Sequence, residues 1–156
     1  MHEALLLVPT PDPLLIPPIE RPFDVTIRPP GSKSLTNRLL LLASLSRGRS
    51  RLMHALTDAV DAQRMIEAVE TLGASVTPIE GGLDVLGVDG TWPASNVRLD
   101  LHNAGTATRF LAAASVLAQG PVTIDGNERM RVRPIGELAE AIEHLGATIT
   151  YGGAPG

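Results

Sequence analysis

RMIEAVETLGASVT, residues Arg64–Thr77, returns as ELAEAIEHLGATIT at Glu137–Thr150. Each copy sets apolar side chains at helical spacing, Met65, Val69 and Leu72 in the first and Leu138, Ile142 and Leu145 in the second. That spacing predicts an amphipathic helix in both places. Further upstream, NRLLLLASLSRG at Asn37–Gly48 resembles TRFLAAASVLAQG at Thr108–Gly120. The upstream pair of stretches is offset by 71 to 72 residues and the downstream pair by 73, so order and spacing both repeat. A period of that size is longer than those of the short solenoids and reads as a duplicated unit.

Strand signals surround the helices. SVTPI and LDVLGV flank Glu80-Gly81-Gly82, a hairpin signature, and NVRLDL and PVTID add two more. FDVTIR, at residues 23–28, alternates like a strand and stops at Pro29-Pro30. A helix should follow, with Ser34 or a neighbour as its N-cap and Gly48 closing it. The first helix of each unit is apolar nearly all round, which predicts burial on every side. The second unit breaks off at TITYGGAPG, before a hairpin of its own. Six of the 13 prolines fall in the first 22 residues, which read as an extended arm.

The bulk composition narrows the function. Hydrophobic residues at 44% and charged residues at 19% describe a globular domain, and aromatic content of 3% leaves the core to Leu, Val, Ile and Ala. A net charge of −4 argues against a nucleic-acid partner. The chain has no cysteine, which excludes disulfides and thiolate metal sites. His2, His54, His102 and His144 show no metal-ligand spacing. No apolar run approaches the roughly 20 residues that cross a bilayer, and the proline-broken start is a poor signal peptide. A cytoplasmic protein without a membrane partner is expected.

Lys33 is the single lysine among 13 basic residues, and it sits in PPGSKSLTNR between two serines. A helix start offers free N–H groups and the positive end of a dipole, which suits an anion. Three such starts carry a basic residue. The first is Gly31-Ser32-Lys33-Ser34, with Arg38 a turn inside. The second is HNAGTATR, with Asn103, Gly105 and Thr106 at the opening and Arg109 a turn in. The third is RMRVRP, with Pro134 at the first helical position and Arg133 just before it. A P-loop is excluded, because Gly31 and Lys33 are not adjacent. Taken singly, each feature is explained by a solvated turn or a cap. Their recurrence in both units points to an anion-binding cleft. Asp58 and Asp61, ahead of the QRMIEAV helix, are expected to be caps and not an acid/base pair.

PGSKSLTNR, NAGTATRF and RMRVRPIGEL, in that order, resemble the three N-terminal signature segments of the 5-enolpyruvylshikimate-3-phosphate synthases (3-phosphoshikimate 1-carboxyvinyltransferases), from about Ile19 to Tyr151. The resemblance implies the inside-out α/β enolpyruvyl transferase fold, built from repeated βαβαββ units with helices inside and sheets outside. The expected organisation is a Pro-rich arm over residues 1–22 and a partial domain over 23–156. Its units cover about 23–96 and 97–156, the second truncated. The implied reaction moves the enolpyruvyl group of phosphoenolpyruvate to the 5-hydroxyl of shikimate 3-phosphate and releases phosphate. No metal or organic cofactor is implied. By the family's pattern Lys33 touches both substrates and is the catalytic residue, Ser34 and Arg38 bind shikimate 3-phosphate, and Gly105 and Arg133 bind phosphoenolpyruvate. Asn103, Thr106 and Arg109 have supporting roles, with Arg129 a weaker candidate.

The chain departs from the pattern in places. Phe110 stands where many members carry Pro, and Val132 replaces a common polar residue. The chain is also much shorter than a family member, so the proton-transfer groups are expected beyond Gly156. The isolated 156-residue chain is therefore expected to be inactive, and a full-length protein to be a monomer. Two alternatives stand beside this expectation. One is a non-catalytic or partner-dependent fragment of the synthase. The other is the sister enzyme acting on UDP-N-acetylglucosamine, whose first motif reads Gly-Ala-Lys-Asn and which commonly uses a cysteine; Ser32, Ser34 and the absence of cysteine speak against it.

Overall fold

A computed structural model describes residues 14–153. The elements run α1 (Lys33–Leu45), β1 (Arg49–Met53), α2 (Val60–Thr71), β2 (Ser75–Ile79), β3 (Gly82–Leu86), β4 (Val97–Asp100), α3 (Gly105–Ala114), β5 (Val122–Asp125), α4 (Glu128–Arg131) and α5 (Gly136–His144). A single 3₁₀ turn at Ser115–Leu117 extends α3.

The repeated Leu-Gly-Ala step has one physical meaning in both copies. After α2, Gly73 takes φ 116°, its N–H donates to the Glu70 carbonyl, and the Ala74 N–H donates to that of Val69. After α5, Gly146 takes φ 97°, with matching bonds to Glu143 and from Ala147 to Ile142. Both are Schellman closures, in which a left-handed residue lets the next amides satisfy the last helical carbonyls. Glycine adopts that conformation without a Cβ penalty.

Strand β3 is central, antiparallel to β1 on one side and to β2 on the other, with Leu52 opposite Leu83 and Val76 opposite Val85. The β2–β3 hairpin turns at Glu80-Gly81, as the sequence predicts. Strands β4 and β5 form a separate parallel pair. Helices α1, α2 and α3 pack on one another between these two sheets. Leu40, Met65, Val69, Leu72, Leu101 and Leu111 are all fully buried there.

Trp92 ties the segment between β3 and β4 to α3. It is fully buried, and its indole Nε1 donates to the Ala114 carbonyl at 3.1 Å. Its own backbone N–H donates to Leu117, and its carbonyl accepts from Gln119. The segment between β3 and β4 is thereby stitched to the end of α3.

Several expectations are corrected. Residues 23–28 form no strand: no described strand pairs with them, and Phe23, Val25 and Ile27 are exposed. An alternating pattern without a ladder partner has nothing to stabilise it. Of the Pro-rich arm, residues 1–13 lie outside the described residues, and 14–22 carry no regular structure. Of the cap candidates at and around Ser34, Ser32 takes the role, accepting from the Leu35 N–H. That helix ends at Leu45, three residues before Gly48. α1 is not buried all round, because Leu35, Leu39 and Leu42 are exposed and no described element covers them. On α5, Ala139 and Ile142 are buried, while Leu145, just past its end, is exposed. β1 carries too few apolar residues for the sequence to signal it. Among the described residues no helix is long and apolar enough to cross a membrane.

Trp92→Phe keeps an aromatic ring and removes the indole donor and part of the volume. It is expected to lower stability by about 1–3 kcal/mol, read as a lower urea midpoint at unchanged slope.

Candidate active site

The starts of three helices converge. Lys33 is the first residue of α1, Asp61 the second of α2, and Gly105 and Thr106 open α3. Together with Asn103, Arg109 and Arg133 they line a cleft of about 340 Å³. Three cations thus face one carboxylate, with the positive ends of the helix dipoles behind them.

Local contacts explain the convergence. The Thr36 hydroxyl, buried in the first turn of α1, accepts from the Leu56 N–H at 3.0 Å. This bond draws the segment ahead of α2 against α1. Asp61 then reaches Lys33, Oδ2 to Nζ 2.9 Å. The ammonium is half exposed, so the pair is of the screened kind that contributes at most about 1 kcal/mol. Asp58 caps nothing. The N-cap of α2 is Ala59, with no side-chain bond, and Asp61 lies in the first turn.

The second helix start is shaped by an Asx turn. The His102 N–H donates to the Asp100 carboxylate at 2.9 Å, and His102 takes φ 49°, a conformation uncommon for a residue with a Cβ. Asn103 follows, and its Oδ1 is buried with no hydrogen-bond partner. A buried acceptor left unpaired is costly.

The third expected helix start is corrected. RMRVRP does not open a long helix. Arg129 and Arg131 lie on the one-turn α4, Arg133 lies in the segment between α4 and α5, and α5 begins two residues after Pro134. The arginine run divides accordingly. Arg129 is exposed. Arg131 forks onto Asp125, Nε to Oδ1 and Nη2 to Oδ2, both 2.9 Å. Only Arg133 joins the cleft. Arg109 braces it from α3, donating from Nη2 to the Pro134 carbonyl at 2.8 Å.

Gly105 lies directly beneath Arg133. A Cβ at this position would run into Nη1 of Arg133 and come within 3.6 Å of Nη1 of Arg109. The glycine therefore lets a guanidinium lie against the start of α3. Ser34 and Arg38 are not among the lining residues; both are exposed on the first turns of α1. Asp61 is the cleft residue that sequence reasoning did not assign, since its pairing depends on a contact between two helices. Among the described residues no group of His, Asp or Glu has the arrangement of a metal site.

The Asp125 carboxylate fixes α4 against the end of β5. The Arg131 fork first, and then the Gly126 N–H, lower its pKa from the ordinary 3.8 to about 2. A carboxyl whose pKa falls on folding adds stability that is fully present above about pH 4 and is lost as the pH falls toward 2. Urea midpoints of the wild type and Asp125→Asn are therefore expected to differ at pH 6 and to converge near pH 2. The gap should narrow in high salt, because Arg131 is largely exposed.

Comparison with known proteins agrees on one family. The profile of the family described as EPSP synthase (3-phosphoshikimate 1-carboxyvinyltransferase) matches residues 19–155. A 3-phosphoshikimate 1-carboxyvinyltransferase of Pseudomonas syringae pv. tomato is 45% identical over 137 residues, 88% of this chain and 32% of the relative. The protein of the same name from Rhizobium leguminosarum bv. trifolii is 46% identical over 136 residues, 87% of this chain and 32% of its own length. A solved EPSP synthase from Acinetobacter baumannii superposes with a TM-score of 0.72 at 25% identity, over 80% of this chain and 28% of that one. The chain spans about a third of the length of the curated relatives it matches.

Proposed function

Because the chain belongs to the EPSP synthase (3-phosphoshikimate 1-carboxyvinyltransferase) family, we propose that its cleft forms part of the site that transfers the enolpyruvyl group of phosphoenolpyruvate to the 5-hydroxyl of shikimate 3-phosphate. The observation that carries this reading is the meeting of Lys33, Arg109 and Arg133 with the starts of α1 and α3 around one cleft. Both proposed substrates are phosphorylated carboxylates, and such a cleft is complementary to both. On this reading the duplicated stretches, about 23–96 and 97–156, are successive copies of the family's unit.

Each residue then has a chemical part. In the reaction the methylene carbon of phosphoenolpyruvate gains a proton, the hydroxyl oxygen adds to the adjacent carbon with loss of its own proton, and phosphate then leaves as the new methyl group gives up a proton, which restores the double bond. Lys33 stands between the two anions, where a compact ammonium serves better than a planar fork. It offsets their mutual repulsion and leaves Asp61 to do so. Ser34 and Arg38 hold shikimate 3-phosphate from the flank of α1. Arg133, laid over Gly105, holds the carboxylate or phosphate of phosphoenolpyruvate, bidentately where geometry allows. Arg109 keeps the Arg133 segment in place, Asn103 offers its unpaired oxygen to a substrate hydroxyl, and Thr106 lines the helix start. These groups bind and neutralise. Proton transfer to carbon requires a further acid that they do not provide.

Calorimetric titration of this chain with shikimate 3-phosphate and with phosphoenolpyruvate tests the reading. Lys33→Ala is expected to weaken both, and to nearly abolish turnover when the chain is co-expressed with the C-terminal portion of a relative. Binding of neither ligand above that of inorganic phosphate would overturn the assignment. Gly105→Ala is expected to displace Arg133 and weaken phosphoenolpyruvate by about 1–3 kcal/mol, with much less effect on shikimate 3-phosphate. Equal losses for the two ligands would contradict the role given to Gly105.

A further inference from the structure

Arg38 is held without being neutralised. Arg47, Arg49, Arg51, Arg64, Arg98 and Arg131 each lie within ion-pair distance of a carboxylate. Among the described residues Arg38 has no such partner. Its guanidinium carbon instead lies 5.4 Å from the ring centroid of Phe110, and Nη1 donates to the Ser34 carbonyl at 3.3 Å. Phe110 is half-buried on α3, directly after Arg109, while Arg38 is exposed on α1. The contact bridges two helices whose first turns both line the cleft.

A guanidinium stacked on an aromatic face keeps its edge donors available, because the ring engages its plane and not its N–H groups. A carboxylate would occupy the same donors that a substrate anion needs, and would cancel the charge. Stacking on Phe110 restricts the long side chain and does neither.

We propose that Phe110 is a positioning residue. Its ring holds Arg38 by the face, between the two helices whose starts line the cleft, so that the free edge of the guanidinium meets the anionic group of shikimate 3-phosphate. The proposal rests on the reading of Arg38 given above and adds the residue that presents it. Phe110 touches neither substrate and acts through Arg38 alone. It therefore bears on one ligand and not on the other, a selectivity that a packing role would not produce.

The test combines a spectroscopic and a binding measurement on the wild type, Phe110→Leu and Phe110→Tyr. A ring current from Phe110 shifts the Arg38 Nε–H proton resonance in the wild type and in Phe110→Tyr, and the shift is lost in Phe110→Leu. Phe110→Leu is expected to weaken shikimate 3-phosphate by about two- to five-fold and to leave phosphoenolpyruvate affinity unchanged, which also verifies that the variant is folded. Phe110→Tyr is expected to match the wild type. Unaltered shikimate 3-phosphate affinity in Phe110→Leu, equal weakening of both ligands, or failure of Phe110→Tyr to restore binding would each overturn the proposal while leaving the broader reading intact. A wild-type chain that binds neither ligand would remove both.

Discussion

Positive charge gathered at one point repels itself, and the fold gathers a great deal of it. The starts of α1, α2 and α3 converge with Lys33, Arg109 and Arg133, and a single carboxylate, Asp61, is set against them. The rest of the architecture supplies what holds that arrangement together. Close packing of Leu40, Met65, Val69 and Leu111 between the helices supplies stabilisation that does not depend on charge, of the order of 2 kcal/mol for each large side chain removed from water. Against such burial the repulsion of half-exposed cations is a small opposing term, which salt weakens further. Asp61 offsets part of it locally, and an incoming anion can take over that task. A cleft built in this way favours anionic ligands without needing a deep cavity.

The cations reach the cleft by different physical routes. Lys33 is placed by a capped helix start, with Ser32 satisfying the Leu35 N–H. Arg133 is placed by a chain of bonds. Asp125 grips Arg131 and fixes α4, Asn127 caps that single turn through Met130, and Arg109 holds the Pro134 carbonyl. Gly105 then leaves the space that the guanidinium occupies. Arg109 serves two ends at once, as a charge lining the cleft and as a brace for its neighbour.

Features governed by local rules were legible in the sequence. The repeat, the β2–β3 hairpin and the buried face of α2 follow from spacing and turn chemistry, and the Leu-Gly-Ala closures turn out to be backbone devices that only glycine fills easily. The cleft residues of the first two motifs were also legible, because they sit at helix starts. What depends on distant partners was not. Asp61 meets Lys33 only through the packing of α2 on α1. Arg131 and Arg133, two residues apart, have opposite fates because α4 ends between them. FDVTIR carries the alternation of a strand, yet pairing is a property of two segments. The outward stripe of Leu35, Leu39 and Leu42 likewise shows that an apolar helix face reports a capacity for burial, and burial itself needs a neighbour.

Trp92 has an optical consequence. It is the chain's single tryptophan and is fully buried where the segment between β3 and β4 meets the end of α3. Its indole is bonded to the last carbonyl of α3. Emission excited selectively in the indole band therefore comes from the seam and from nowhere else in the molecule. Separation of that segment from α3 would admit water to the ring and shift its emission to the red, whereas events confined to the cleft would leave it largely unmoved. The protein carries an intrinsic gauge that distinguishes loss of its internal joint from changes at its binding face.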